Sequence, residues 1–364
     1  MKRVTQILFP ALMLLAVGSL LLGLYTGLVR LGVLAPGNLQ TNGMLHGPLM
    51  INGFLGTLIS LERAAALRQH WTWSAPVLLA LSTVLILSGI TTIGSFFLLA
   101  GTVMLVAVLS YVLRIDPALY HLIMLLGAFC LLIGNVLFVM NYPLFELVFW
   151  WVGFPVLTIF GERLELNRIM RPPMRATQVF TGIILLWMMM VALLHLNTPA
   201  PWYGLMLLFI LPAAWMIRYD VARKTIGSTG WTRFSALCML TGYFWLIIAG
   251  IYASSVGQPV AGLPYDALLH MIFIGFVFSM IFAHAAFILP ALTGMEVPYS
   301  HYFYLPFALL HGFLLVRVLT DFTGVPELQQ IGSYGNLAAI LIFMIGVLVQ
   351  VTRANLVNRA SSPA

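Results

Sequence analysis

Five of the eight histidines lie inside long apolar stretches of the chain, where their side chains could do chemistry. These five are His46, His121, His270, His284 and His311. An ionisable side chain in the middle of a membrane span costs roughly 2.5–3.5 kcal/mol, so it is a functional candidate by default. Neutral imidazole binds metal ions and haem iron. The other three histidines lie at predicted loop edges and are interpreted as interfacial: His70, His195 and His301.

His46 and His270 lie at matching positions, early in the second and in the tenth apolar stretch. Both stretches are predicted to enter the membrane from the outer side, so the two imidazoles lie at similar depth. Histidines at matching depth on two helices are suited to bind haem iron from its two faces. Met50 lies one turn after His46 on the same helix face, at about 40°. The alternative is that both histidines are hydrogen-bonded at helix interfaces.

His284 follows His270 by fourteen residues, which places it about 21 Å deeper on nearly the same helix face. The two are therefore too far apart to share one metal. His284 approaches the predicted inner edge, where His121, Glu62 and Glu162 also lie. Two interpretations stay open: a second metal site, or a network of ion pairs and hydrogen bonds that holds helix ends together. His311, in the middle of the eleventh stretch, is assigned to neither site.

The elements that position these histidines are predicted to be membrane-spanning helices. The chain is 62% hydrophobic and 7% charged, with a mean hydropathy of +1.03, which excludes a soluble globular domain and a disordered chain. A span needs about 20 apolar residues, and nearly all of the 364 residues divide into such segments. We expect one all-α polytopic membrane domain over residues 1–364, with loops too short to fold alone. The predicted spans are 7–34, 44–67, 73–94, 95–113, 117–140, 142–165, 176–195, 202–218, 231–256, 264–290, 303–320 and 332–352.

Basic residues predict the orientation of these spans. With the N-terminus inside, fifteen of the seventeen Lys and Arg residues fall on the inner side, as the positive-inside rule requires. Both termini are therefore predicted to be cytoplasmic, and the net charge of +7 reflects cytoplasmic loops rather than nucleic-acid binding. Arg30 and Arg317 are the exceptions on the outer side. They are either partners of haem propionates, or Arg317 pairs with Asp321 while Arg30 reaches the headgroups.

Three helices, four spans apart, share a short pattern. Gly53-Phe54 precedes Glu62-Arg63 in the second, and Gly153-Phe154 precedes Glu162-Arg163 in the sixth at the same spacing. Gly275-Phe276 in the tenth is followed at that spacing by His284. A threefold repeat of four-helix units is one interpretation, and ordinary charges at helix ends are the other. Gly312-Phe313 is a fourth Gly-Phe pair outside the pattern.

The run His46-x3-Met50-x2-Gly53-Phe54 resembles the second-helix signature of the NnrS family, and His270-x4-Gly275-x4-Met280 resembles its tenth-helix pattern. NnrS proteins are twelve-span bacterial inner-membrane proteins that bind haem and copper and act in nitric oxide stress, and they are distant relatives of haem-copper oxidase subunit I. The resemblance implies a twelve-helix bundle with threefold pseudo-symmetry, and haem b held by the histidines of helices two and ten. The implied partners are membrane lipid, a diatomic gas such as nitric oxide, and a redox partner.

Departures from the pattern limit the chemistry. Pro48 stands where the family often has a second histidine, and the helix-six and helix-seven copper ligands of oxidases are missing, apart from His195 at an outer end. A haem-dependent oxidoreductase is compatible with this pattern, whereas a standard terminal oxidase is not expected. Two other functions stay open. One is a secondary transporter with His284, Glu62 and Glu162 as proton carriers, and the other is an assembly partner of a respiratory complex.

Overall fold

The computed structural model describes residues 2–35, 43–196 and 198–361, and within these ranges it is all-helical. Within the same ranges, twelve helices are long and apolar enough to cross a membrane, so the predicted all-α polytopic fold class is confirmed. Numbered α1 to α12, they are Leu8–Arg30, Gly43–Leu67, His70–Leu87, Thr91–Ile115, Leu119–Val139, Leu144–Leu166, Met174–Leu196, Pro199–Tyr219, Gly230–Val256, Gly262–Pro290, His301–Thr323 and Glu327–Leu356. The chain is a multi-pass membrane protein. Its first and last helices extend to Lys2 and Ser361.

Proline-containing segments lie between the helices, in agreement with the limits of the predicted spans. Asp116-Pro117, Pro172-Pro173 and Pro298 all fall between helices, while Pro36-Gly37 lies outside the described residues. The break between α3 and α4 was predicted at residues 94 and 95, and this was wrong. It lies at Gly89, whose φ of +81° and the Ile90 N–H bond to the Leu85 carbonyl form a left-handed helix end.

Helices α2 and α10 each contain an eight-residue π-helical segment, Leu49–Gly56 and Met271–Phe278. In both segments the Gly-Phe pair occupies the fifth and sixth positions, and a hydroxyl residue, Thr57 or Ser279, follows at once. The third helix of the predicted repeat, α6, has no such segment and carries Pro155 after its Gly-Phe pair. The structure thus gives α2 and α10 a shared conformation that α6 lacks, and the threefold repeat stays a prediction.

Contacts divide the chain into two compact units, Met1–Glu162 and Arg163–Ala364, a division that the sequence did not predict. In the first unit, α1 packs on the π segment of α2, α3 packs on α4, and α4 packs on α5. Small residues let the backbones approach, as is typical of helix packing in membranes. A Cβ built on Gly101 of α4 would lie 2.9 Å from the Leu79 nitrogen of α3.

In the second unit, α9 is the central helix and packs on α8 and α10. Gly250 of α9 fits against α8, since a Cβ there would lie 2.7 Å from the Met206 carbonyl oxygen. Helix α11 packs on α12, and Gly332 of α12 fits against the backbone nitrogen of Arg317 at 2.8 Å from a built Cβ. These close approaches bring the backbones of α8 and α9, and of α11 and α12, together inside this unit.

Candidate functional site

His46 opens the short α-helical turn that leads into the π segment of α2. Its Nδ1 lies 2.7 Å from the carbonyl oxygen of Gly23 on α1. The ring lies against Gly27, where a Cβ would come within 3.0 Å of Nδ1, and Met50 lies against Gly23. His46 and Met50 therefore share one helix face, as predicted, and that face contacts the glycine side of α1.

His270 ends the α-helical turn that precedes the π segment of α10. Its Nδ1 lies 2.7 Å from the backbone carbonyl oxygen of Asp266 and 3.4 Å from that residue's Oδ1. Arg317 of α11 donates from Nε and from Nη2 to the two oxygens of the same carboxylate, each at 2.7 Å. The acid that Arg317 pairs with is thus Asp266, which the sequence analysis had not considered, and not Asp321.

These contacts fix the protonation pattern of both imidazoles. A carbonyl oxygen only accepts hydrogen bonds, so Nδ1 of His46 and of His270 must each carry the proton. In the neutral ring the lone pair is then on Nε2, the nitrogen that binds a metal when Nδ1 is held by a carbonyl. The chemistry of each side chain fits ligation of haem iron.

His284 and His311 have different roles in the second unit. His284 donates from Nδ1 to the Met280 carbonyl at 2.7 Å, and its Nε2 lies 3.4 Å from Nη1 of Arg163, a group that can only donate. His311 accepts at Nδ1 from the Trp245 indole at 2.9 Å, and its Nε2 lies 3.4 Å from the Ser279 hydroxyl. Both nitrogens of each ring contact protein groups, which favours hydrogen-bonding roles over metal ligation.

Arg163 belongs to a buried network that the sequence analysis missed. It donates from Nε and Nη2 to the carboxylate of Asp220 at 2.8 and 2.6 Å. The Tyr243 hydroxyl and the Ala222 N–H donate to the same carboxylate at 2.6 and 2.8 Å. Asp220 is fully buried with four donors around it. It directly follows a helix end, so its position in the sequence suggested an ordinary loop acid.

The remaining acids and His121 of the predicted inner end lie in the first unit. Arg63 makes an ion pair with Glu162 and lies 3.8 Å from Glu62. His121 donates from Nδ1 to the backbone carbonyl of Asp116 at 2.9 Å. For Glu62 and Glu162, these contacts favour the ion-pair network over the second metal site.

Arg30 ends α1 three residues after Gly27, the residue on which the His46 ring lies. A Cβ built on Gly43, at the start of α2, would lie 2.7 Å from the Arg30 Cα, so the two helices meet closely at this end. Arg30 is thus placed near the α1 face that contacts His46, and its predicted interaction with a propionate stays a prediction.

A set of uncharged polar side chains is buried near the π segment of α2. Asn135 of α5 donates from Nδ2 to Asn52 Oδ1 and to Thr102 Oγ1, each at 2.8 Å, and accepts from the Trp151 indole at 2.9 Å. Sequence reasoning missed this network because it considered only ionisable groups. Two asparagines within apolar spans were the available signal.

Among the described residues, no group of three or more His, Cys, Asp or Glu side chains could hold a metal ion on its own. A family model described as "Domain of unknown function (DUF8744)" matches residues 9–352. No curated protein and no solved structure matches the chain significantly.

Proposed function

The chain belongs to the DUF8744 family, and we propose that it is a haem b-binding membrane protein in which His46 and His270 would hold the haem iron. One observation carries the proposal. Each of these histidines donates Nδ1–H to a backbone carbonyl and precedes a π-helical segment, His46 by three residues and His270 by one, and the Gly-Phe pair has the same position in both segments. π-Helical turns are rare and frequently mark functional sites.

The contacts of His270 suit a ligating histidine whose orientation and basicity are set by its neighbours. A carboxylate or carbonyl that holds the second ring nitrogen fixes the orientation of a ligating histidine and raises its basicity. Asp266 supplies both groups to His270, and Arg317 holds the Asp266 carboxylate in place. Within this proposal Arg317 is a positioning residue for His270. A haem propionate would compete with Asp266 for the same guanidinium.

The resemblance to NnrS supports a role in nitric oxide or nitrosative-stress defence, by electron transfer or by binding of the gas. Haem iron, when bound, would supply the redox and gas-binding chemistry. The chain's own contribution is to bind and orient the group through His46 and His270 and to exclude water with its apolar helices. For copper, which the resemblance also implies, the described residues contain no group of three His, Cys, Asp or Glu side chains that could hold it.

The proposed location is a bacterial inner membrane with both termini in the cytoplasm. Support comes from the fifteen of seventeen basic residues that fall on one side when the N-terminus is inside. The test is a pair of C-terminal reporter fusions. We expect cytoplasmic fluorescence, and periplasmic phosphatase activity at the C-terminus would overturn the orientation.

The haem proposal is tested by the optical spectrum and the haem content of the protein purified from haem-replete cells. We expect a sharp reduced b-type band in the wild type. His46→Ala and His270→Ala should each lose most of the bound haem, whereas His301→Ala, at an exposed helix start, should keep it. A colourless wild-type protein, or equal haem content in all three variants, would contradict the proposal.

A proton-coupled transporter is the competing function, and it would need a buried carboxylate, of which Asp220 is an example. A proton carrier has to exchange its partners during transport. Asp220 instead accepts four hydrogen bonds, two of them from Arg163. Such a satisfied ion pair is better suited to holding helices together. Proton uptake coupled to a solute in vesicles, by a protein without haem, would favour the transporter.

A further inference from the structure

Asn52, the fourth residue of the π segment in α2, is a buried amide that is half satisfied. Only 3% of the residue is exposed. Its Oδ1 accepts from Asn135 Nδ2 at 2.8 Å, while its Nδ2 is buried and has no hydrogen-bond partner among the described residues. A buried polar group without a partner costs about 1–3 kcal/mol, so a bound acceptor next to this donor would stabilise the protein.

The network around Asn52 has a fixed direction, because one member can only donate. The indole N–H of Trp151 donates to Asn135 Oδ1, which turns the Asn135 amide nitrogen towards Asn52. Asn52 must then present its oxygen to Asn135. The exchange of oxygen and nitrogen that is often ambiguous in an asparagine is excluded here, since it would set two donors against each other. The unsatisfied group of Asn52 is therefore a donor.

A small cavity of about 20 Å³ adjoins Asn52 and is otherwise lined by apolar residues and by two hydroxyls of α3, those of Ser82 and Thr83. Both hydroxyls donate to the Leu79 carbonyl, at 2.7 and 3.3 Å, so their remaining capacity is that of acceptors. Thr83 lies against the π segment, because a Cβ on Gly53 would come within 3.1 Å of its Oγ1. The cavity therefore offers one donor and two acceptors.

We infer that this cavity binds one water molecule, which accepts a hydrogen bond from Asn52 Nδ2 and donates to Ser82 and Thr83. A cavity of roughly 10–15 Å³ or more can hold one water, and a buried water makes 2–4 hydrogen bonds to polar groups. A diatomic gas or a halide can accept from the amide but cannot donate to the hydroxyl oxygens. The bound water links α2 to α3 through the segment that follows His46.

The test is a density map of the full-length protein at a resolution that shows ordered water. We expect one compact peak about 2.7–3.2 Å from Asn52 Nδ2 and within reach of the Ser82 or Thr83 oxygen. An empty cavity in a map that shows other buried waters would overturn the inference. So would an elongated peak from a diatomic molecule, lipid or detergent.

Variants make the assignment specific. Asn52→Leu, which removes the donor, should lose the peak, and Thr83→Val should weaken or displace it. Ser88→Ala is the control. Ser88 is exposed, directly follows α3 and donates its hydroxyl to the Val84 carbonyl of that helix, so this variant should leave the peak unchanged. A peak that persists in Asn52→Leu would overturn the inference. If that variant does not fold, the wild-type map and Thr83→Val decide the question.

Discussion

The π segments of α2 and α10 share a backbone conformation but differ in the side chains that surround them. In both, the fifth residue is a glycine at which neighbouring helices approach closely. A Cβ on Gly53 would lie 2.8 Å from Ser19 of α1, and a Cβ on Gly275 would lie 2.6 Å from Trp245 of α9. The fourth residue is Asn52 in one segment and Ile274 in the other. The polar network of α2 therefore has no counterpart at that position in α10.

The two histidines that precede the segments are also held differently. His46 depends on a carbonyl of a neighbouring helix, that of Gly23 on α1, whereas His270 depends on its own helix through Asp266. The position of His46 is thus sensitive to how α1 and α2 pack. The position of His270 is sensitive to the ion pair between Asp266 and Arg317. The histidine before each π segment is therefore oriented in a different way, His46 by a neighbouring helix and His270 by its own helix.

Breaking the Asp266–Arg317 pair is expected to have the largest effect. Asp266→Asn leaves the Arg317 guanidinium, 7% exposed, without its counter-charge, and the expected loss is about 3 kcal/mol of stability. Haem bound through His270 should be lost as well. The measurement is thermal unfolding of the purified protein in detergent. Glu165→Gln is the matched control, because its partner Arg168 is 64% exposed and the pair contributes little. Equal melting temperatures for both variants would contradict the role given to Asp266.

The next largest effect is expected from adding one methyl group at the glycine that is the fifth residue of both segments. Gly53→Ala and Gly275→Ala both force a Cβ into atoms under 3.0 Å away, and each should cost about 1–3 kcal/mol. Gly312→Ala, in the Gly-Phe pair of α11 that lies outside the pattern, meets nothing within 4 Å and serves as the control. Unfolding midpoints of the three variants test this. If the control variant is as unstable as the other two, close packing at Gly53 and Gly275 is not the cause of their instability.

Hydropathy was sufficient to predict the twelve helices, since length and apolar composition alone determine a span. It was insufficient for the junction between α3 and α4, where both Gly89 and Gly94 were compatible with a helix end. Gly94 instead lies in the first turn of α4 and packs closely on α3, where a Cβ would meet Ile86 at 2.7 Å. Asp220 and Asp266 were missed because ion pairs between distant helices leave no local spacing. The π segments were missed because backbone register does not follow from hydropathy.

Removing the amide that connects the α2 network has a smaller effect, and only on the α2 side of the comparison. Asn135→Leu leaves the Trp151 N–H and the Asn52 Oδ1 without their partner. The expected loss is about 1–2 kcal/mol, since hydrogen bonds between membrane helices contribute modestly. Ile274→Val in the α10 segment is the matched comparison, because it changes an apolar contact alone. A smaller loss of stability for Asn135→Leu than for Ile274→Val would show that the network does not stabilise the protein.

The central claim, that His46 and His270 are haem ligands, is tested most directly by exchanging each for methionine and recording the spectrum and midpoint potential of the purified haem protein. Methionine is itself an axial ligand and raises the potential relative to histidine. The account predicts that His46→Met and His270→Met each change the spectrum and raise the potential, whereas His301→Met changes neither. A spectrum and potential unchanged in both variants would contradict it.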